Sequence, residues 1–322
     1  MSVETPVTPA KTPVTPAPPS PSTSRLGAWL LAIRPRTLPA AVAPVVVGTA
    51  LAGAHGVAAP LPAVAALLGA LLIQVATNLA NDYFDHVKGA DTEERLGPVR
   101  VTQAGLIPPR SVLMGTGLTL AAAFLVGIYL VAVGGWPIVV IGLAALVCAV
   151  IYTGGPFPLA YHGLGDLFVF IFFGPVAVGG TYWVQAGVWS PEILTAGAAM
   201  GVLITAILVV NNLRDREGDA RVGKRTLAVR LGERGSRAQY LGLLGVAALA
   251  APLGIFLHGW SAWSLLSLLA FRFALPPLEA VFTYADPREL NPALGWTARL
   301  VTWYGGLLAV GLILGGEVPW MR

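Results

Sequence analysis

Apolar stretches long enough to cross a bilayer follow one another along almost the whole chain, and this limits the fold more than any other feature. A span needs about 20 mostly apolar residues. Nine such stretches are present, at 37–54, 61–82, 111–132, 137–153, 165–186, 192–213, 238–258, 260–283 and 295–316. The eighth is the least regular, because Arg272, Pro276, Pro277 and Glu279 interrupt it. Charged residues make up 11% of the chain, against roughly 25% in a soluble domain. The expected fold class is therefore all-α, a polytopic membrane protein with nine transmembrane helices. Residues 1–24 are rich in Pro, Thr and Ser and have no packable face. They read as a disordered tail without the apolar core of a secretory signal, and the membrane domain is expected over 25–322.

The net charge of +4 does not point to nucleic acid, because the basic residues fall in a few loops. Lys11, Arg25, Arg34 and Arg36 precede the first stretch, and Lys88, Arg95, Arg100 and Arg110 follow the second. Arg214, Arg216, Arg221, Lys224, Arg225, Arg230, Arg234 and Arg237 follow the sixth, and Arg288 follows the eighth. The loops on the other side hold no Lys or Arg, and only Arg322 falls there. The positive-inside rule then puts the N-terminus and the large loops in the cytoplasm and the C-terminus outside, in a plasma membrane. The single cysteine, Cys148, excludes an intrachain disulfide and reads as a small core residue.

The two large loops carry the chemistry. The second stretch runs into "NDYFDHVKGAD" (81–91) and the sixth into "NNLRDREGDARVGKRTLAVRLG" (211–232). Asn81 and Asp85 are four apart, as are Asn78 and Asp82; Asn211, Asp215 and Asp219 repeat that spacing. Four residues turn a helix about 400°, so each set lies near one face. Two helices from opposite halves of the chain thus bring Asn and Asp to the same membrane surface, as an internally duplicated bundle does. Hard carboxylate and amide oxygens in this pattern suit Mg²⁺, which is commonly shared between one or two carboxylates and substrate phosphates. Asn81, Asp82, Asp85, Asp91, Asn211, Asp215 and Asp219 are the expected metal ligands. Lys88, Arg214, Lys224 and Arg225 are placed to neutralise a diphosphate. A solvated helix end is the plain alternative for either cluster alone. An ion-coupled transporter is the alternative for both, although its acids belong at the midplane rather than at one surface.

These motifs resemble the UbiA superfamily of intramembrane aromatic prenyltransferases, with nine helices around a central cavity and Asp-rich motifs after helices two and six. Asn81, Asp82 and Asp85 match the first motif; its last Asp falls on Gly89, with Asp91 two residues later. Asp215 and Asp219 match the second. Within the family, "AIRPRTLPAAVAPVVVGTALA" (32–52), "NDYFDHVKGADTEERLGPVRVTQAGLI" (81–107) and "YTGGPFPLAYHGLGDLFVFIFFGPVAVGGTYWVQ" (152–185) are similar to members that prenylate 1,4-dihydroxy-2-naphthoate. The resemblance implies a polyprenyl diphosphate with its head at Mg²⁺ and its tail among the helices. It also implies loss of diphosphate and CO₂, and demethylmenaquinone as product. Asp85, Asp215, Lys88 and Asp166 would serve the reaction. Arg34, Arg36, Lys88, Arg214, Lys224, Arg225 and Tyr152 would hold the two substrates. Tyr152, Phe168, Phe172, Phe173, Tyr182 and Trp183 would line a dry pocket, or simply pack between helices. Arg34 and Arg36 read equally as membrane anchors, Asp166 by default as a helix N-cap, and Arg272 as structural, with Glu279 a candidate partner. Other aromatic acceptors, 4-hydroxybenzoate or homogentisate, remain open within the family, as does a non-catalytic paralogue.

Overall fold

The computed structural model describes residues 24–90 and 95–316, and within them the chain is all helical. Eleven α-helices follow in order: α1 Arg25–Ile33, α2 Pro39–Ala54, α3 Pro60–Val87, α4 Pro109–Gly134, α5 Trp136–Ile151, α6 Gly165–Ile171, α7 Ala177–Ala186, α8 Glu192–Arg221, α9 Leu227–His258, α10 Leu275–Thr283 and α11 Leu290–Gly315. Six helical segments are long and apolar enough to cross a membrane, or eight if each bent pair counts as one span. The sixteen-residue apolar α5 stands beside these. The tail expected at 1–24 lies outside the described residues except for Ser24, which caps α1 through its side chain.

The departures from plain spans have local causes. The first expected stretch is preceded by α1, and the two are bent by 48° around Pro35 and Pro39. The irregular eighth stretch is a 3-10 helix, Ala262–Phe273, bent by 42° against α10. Pro276 and Pro277 fall in the first turn of α10, where their missing N–H groups do no harm. Between α6 and α7 the backbone widens into a π-turn, Phe172–Val176, at Gly174 and Pro175, because Pro175 cannot donate to the preceding turn. A β-carbon on Gly174 would sit 2.5 Å from the Gly197 carbonyl of α8, so only glycine allows this approach.

The central helix is α8, with 72% of its apolar window buried, whereas α4 is outermost with 6%. The main core joins α2, α8, α9 and α11 through Leu51, Met200, Leu203, Tyr240, Leu300 and Tyr304. A smaller cluster ties Ala28 and Ala32 of α1 to Leu79 of α3 and to Val101 and Ile107 of the following loop. That second cluster matters for function, since it seats the loop after α3 against the end of the helix that carries the first acidic motif.

Candidate active site

The ends of α3 and α8 lie at one end of a cavity of about 1430 Å³. Ordinary small-ligand sites occupy about 300–1,000 Å³, so there is room for more than a compact molecule. Away from the acidic ends the wall is apolar and built of small residues, among them Ala66 and Gly69 of α3, Gly127 of α4 and Gly142 of α5. Phe168, Phe172 and Phe173 also line it. Tyr182 and Trp183 do not: the Tyr182 hydroxyl bonds His55 at 2.7 Å, and Trp183 donates to the Gly134 carbonyl at 2.8 Å. Cys148 is half-buried on the cavity wall rather than in the core.

On α3 the two four-residue pairs divide the work. Asn81 and Asp85 line the cavity. The Thr153 hydroxyl donates to Asn81 Oδ1 at 2.8 Å. Asp85 accepts from Tyr161 Oη at 2.9 Å and from Arg100 Nη2 at 3.2 Å. Asn78 also lines the cavity, but its side chain and that of Asp82 bind neighbouring chain. Asn78 donates to the Ile33 carbonyl at 2.8 Å and to Thr37 at 3.0 Å. Asp82, 1% exposed, accepts from the backbone N–H of Thr102 at 2.9 Å and of Val101 at 3.3 Å, and pairs with Arg34 at 3.7 Å. Against the expectation that Asp82 is a metal ligand, its carboxylate holds the loop after α3. Asp82→Ala is therefore expected to cost about 1–3 kcal/mol by orphaning buried donors. Thermal unfolding in detergent would show the loss, and an unchanged midpoint would contradict the role. Asp91 lies outside the described residues. Gly89, where the family motif has its last Asp, leaves the helix with φ +67°, a conformation that favours glycine.

On α8, Arg214 is 1% exposed, and its Nε, Nη1 and Nη2 are all engaged. It binds both oxygens of Asp215 at 2.8 and 2.6 Å, Asn211 Oδ1 at 2.9 Å and Asn291 Oδ1 of α11 at 2.9 Å. Asn291 in turn donates to the Leu96 carbonyl at 2.9 Å. Arg214 is thus a buried strut rather than an open diphosphate ligand. Asp219 pairs with Lys224 at 3.3 Å. Lys224 and Asn211 line the cavity, whereas Asp215 and Asp219 do not. Burial lowers the Lys224 ammonium, but Asp219, Asp85 and Asp215 outweigh it and hold its pKa above the ordinary value. Lys224 thus sits among acids from both halves of the chain. Tyr152, at the end of α5, lines the same cavity. The Tyr152 hydroxyl can donate a hydrogen bond to an oxyanion.

The remaining expected residues divide in the same way. Arg34 and Arg36 line the cavity; Lys88 and Arg225 do not and face a second, smaller one. Asp166 lines the large cavity and accepts from Gln239 of α9 at 2.9 Å; it does not cap α6. Arg272 rests 4.7 Å from the centre of the Phe273 ring, its neighbour in sequence, rather than pairing with Glu279. Four residues at the site went unsuspected: Arg100, Tyr161, Asn291 and Arg299. Arg299 lines the cavity with its guanidinium 4.5 Å from the Trp296 ring centre. A lone arginine in the apolar α11 was the available signal. The others carried none, since their partners are distant in sequence.

Among the described residues, no three acidic or imidazole side chains form a ready-made metal cage. Asp85, Asp215 and Asp219 are each neutralised by a cation instead. The donor set nevertheless fits Mg²⁺. It is all hard oxygen, and Asp219 Oδ2 is buried without a hydrogen-bond partner. Such an ion would be held by few carboxylates and completed by substrate phosphate.

Residues 41–303 match the model of the UbiA prenyltransferase family. The chain belongs to that family. It is 39% identical over 299 residues to the 1,4-dihydroxy-2-naphthoate octaprenyltransferase of Escherichia coli (strain K12), spanning 90% of this chain and 96% of that one. It is 40% identical over 287 residues to the enzyme of the same name from Mycobacterium tuberculosis, spanning 88% and 97%. This UbiA fold is shared with a UbiA homolog from Archaeoglobus fulgidus, solved bound to DMAPP and Mg²⁺. The TM-score is 0.60 at 14% identity, covering 88% of this chain and 99% of that one. The chain is accordingly a multi-pass membrane prenyltransferase.

Proposed function

We propose that this UbiA member transfers a polyprenyl group from polyprenyl diphosphate to 1,4-dihydroxy-2-naphthoate. CO₂ and diphosphate are lost and demethylmenaquinol forms, later oxidised to the quinone. The observation that carries the reading is one cavity with two characters. Asn81, Asp85, Asp166, Asn211, Lys224 and several arginines line its polar part, and a long apolar wall of small and aromatic side chains makes up the rest. A diphosphate with an isoprenoid tail has that same division. The acceptor assignment rests on the relatives named above, which span nearly the whole chain.

In this reading Asn81, Asp85, Asn211, Asp215 and Asp219 hold Mg²⁺, which when bound supplies positive charge to the diphosphate as it leaves. Lys224 offers a permanent cation at the same place. Tyr152 donates to an oxygen of the diphosphate or the naphthoate. Arg34, Arg36 and Arg299 bind the carboxylate of the acceptor or the outer phosphate. Asp166, steadied by Gln239, orients the naphthol hydroxyl. Phe168, Phe172 and Phe173 keep water from the allylic carbon and turn π faces towards its developing charge. The same reading counts nine crossings, the six long spans, the two bent pairs and α5. The N-terminus and acidic loops are then cytoplasmic and the C-terminus outside the plasma membrane, in line with the basic loops.

An acceptor panel tests the substrate. Purified protein in detergent with Mg²⁺ and a polyprenyl diphosphate is expected to favour 1,4-dihydroxy-2-naphthoate over 4-hydroxybenzoate and homogentisate by at least tenfold in kcat/KM. A preference for either competitor would move the enzyme elsewhere in the family.

A further inference from the structure

Beside the acidic ends of α3 and α8 lies a second cavity, of about 480 Å³. Lys88, Arg225, Arg230, Tyr161 and His162 line it, together with the turn at Gly155, Pro156 and Pro158 and with Gly223. Three of these side chains are cations, and none is a carboxylate. The volume is within the ordinary range for a small ligand. Fixed contacts build the wall: Arg230 donates to the His162 carbonyl at 2.7 Å and to the Arg225 carbonyl at 3.3 Å, and the Arg225 N–H donates to the Tyr161 carbonyl at 2.9 Å. Phe157 stacks on His162 with ring centres 3.7 Å apart. Lys88 gives two of its donors to the carbonyls of Thr153 and Gly155, at 2.6 and 3.4 Å, which fixes the ammonium in place. Arg225 is exposed, and among the described residues neither Arg225 nor Arg230 forms an ion pair.

The two cavities meet at Tyr161. Lys88 of the small cavity lies 4.8 Å from its ring centre and Lys224 of the large cavity 5.6 Å from it, while its hydroxyl binds Asp85. The electrostatics on the two sides differ in kind. The large cavity sets the carboxylates of Asp85 and Asp166 among its arginines and Lys224, and so offers oxygen ligands to a divalent ion as well as positive charge to a diphosphate. The small one offers only cations, including an arginine fork suited to paired phosphate oxygens.

We propose that the small cavity is an antechamber that binds a diphosphate anion without metal, next to the metal-dependent site and separated from it by Tyr161. That the anion is a diphosphate rests on the prenyl-transfer reading. Its source is either the product on its way out or the head of the prenyl donor on its way in.

Calorimetric titration of inorganic diphosphate into the full-length protein, in an uncharged detergent with EDTA, tests the site. Saturable binding is expected, with Kd raised at least tenfold in Arg225→Gln and partly restored in Arg225→Lys. Arg225 is suited to the test because its exposed side chain supports no other part of the fold. No metal-free binding, or equal binding by Arg225→Gln, overturns the proposal. Steady-state rates of Arg225→Gln then separate the sources. A several-fold fall in kcat with kcat/KM for the prenyl donor unchanged marks an exit, because release of product follows the committed step. A fall in kcat/KM marks the way in. No change in either parameter overturns the transit role. Binding is measured without turnover, so its failure leaves prenyl transfer standing, and a failure to make prenylated product leaves the binding result standing.

Discussion

Asp85→Asn and Asp215→Asn are each expected to lower kcat by roughly 10²–10³-fold, the range for removing one element of transition-state charge stabilisation. The amide can still accept from Tyr161 at position 85 and from Arg214 at position 215. What it loses is the negative charge that binds a divalent ion. Part of the lost rate should return as Mg²⁺ is raised, because a weakened ion site fills at higher concentration. Initial rates against Mg²⁺ concentration give the answer. Two variants that turn over like wild type at limiting Mg²⁺ would remove the basis for a metal–diphosphate site at these helix ends.

A second large effect is expected at Arg214. Its guanidinium is buried and binds Asp215, Asn211 and Asn291 at once. Arg214→Met leaves a carboxylate and two amide oxygens without their donor. Breaking a buried pair from one side costs about 3–5 kcal/mol, because the remaining charge stays desolvated. That is a large part of the 5–15 kcal/mol by which a typical fold is stable. Removing the stranded charge as well, in Arg214→Met/Asp215→Leu, should recover much of the stability and none of the activity. Thermal unfolding of both variants in the same detergent separates the two effects. A single variant as stable as wild type would mean that the strut carries no load.

The bilayer explains why so much of the architecture could be read in advance. Apolar runs report membrane-embedded helices directly, and the expected stretches coincide with the long helices, the bent pairs and α5. Less legible were features set by prolines acting at a distance or in pairs. Pro35 and Pro39 break the approach to α2, and Pro175 opens a π-turn within a run that reads as unbroken. At the site, helical spacing grouped Asn81 with Asp85 and Asn78 with Asp82 correctly. It could not show that Asp82 turns to the loop after α3 while Asn78, Asn81 and Asp85 line the cavity. That choice depends on where the loop after α3 packs, and the loop has no periodicity to read. Asp82 meets its N–H donors about twenty residues on, beyond the three- and four-residue neighbours that helical spacing groups, and Asn291 reaches Leu96 from the far end of the chain. Such partners follow from packing and not from spacing. Charge in an apolar run was an incomplete guide: it singled out Arg272, which rests on Phe273 away from the cavity, and the same signal at Arg299, which does line the cavity, went unread.

The most direct measurement uses purified protein, a polyprenyl diphosphate and 1,4-dihydroxy-2-naphthoate labelled in its carboxylate, with Mg²⁺ or with a chelator. Labelled CO₂ and prenylated naphthoquinol in equal amounts, both abolished by chelation and restored by Mg²⁺, are the predicted result. Prenylated product that persists undiminished under chelation, or no product with any aromatic acceptor, would contradict it.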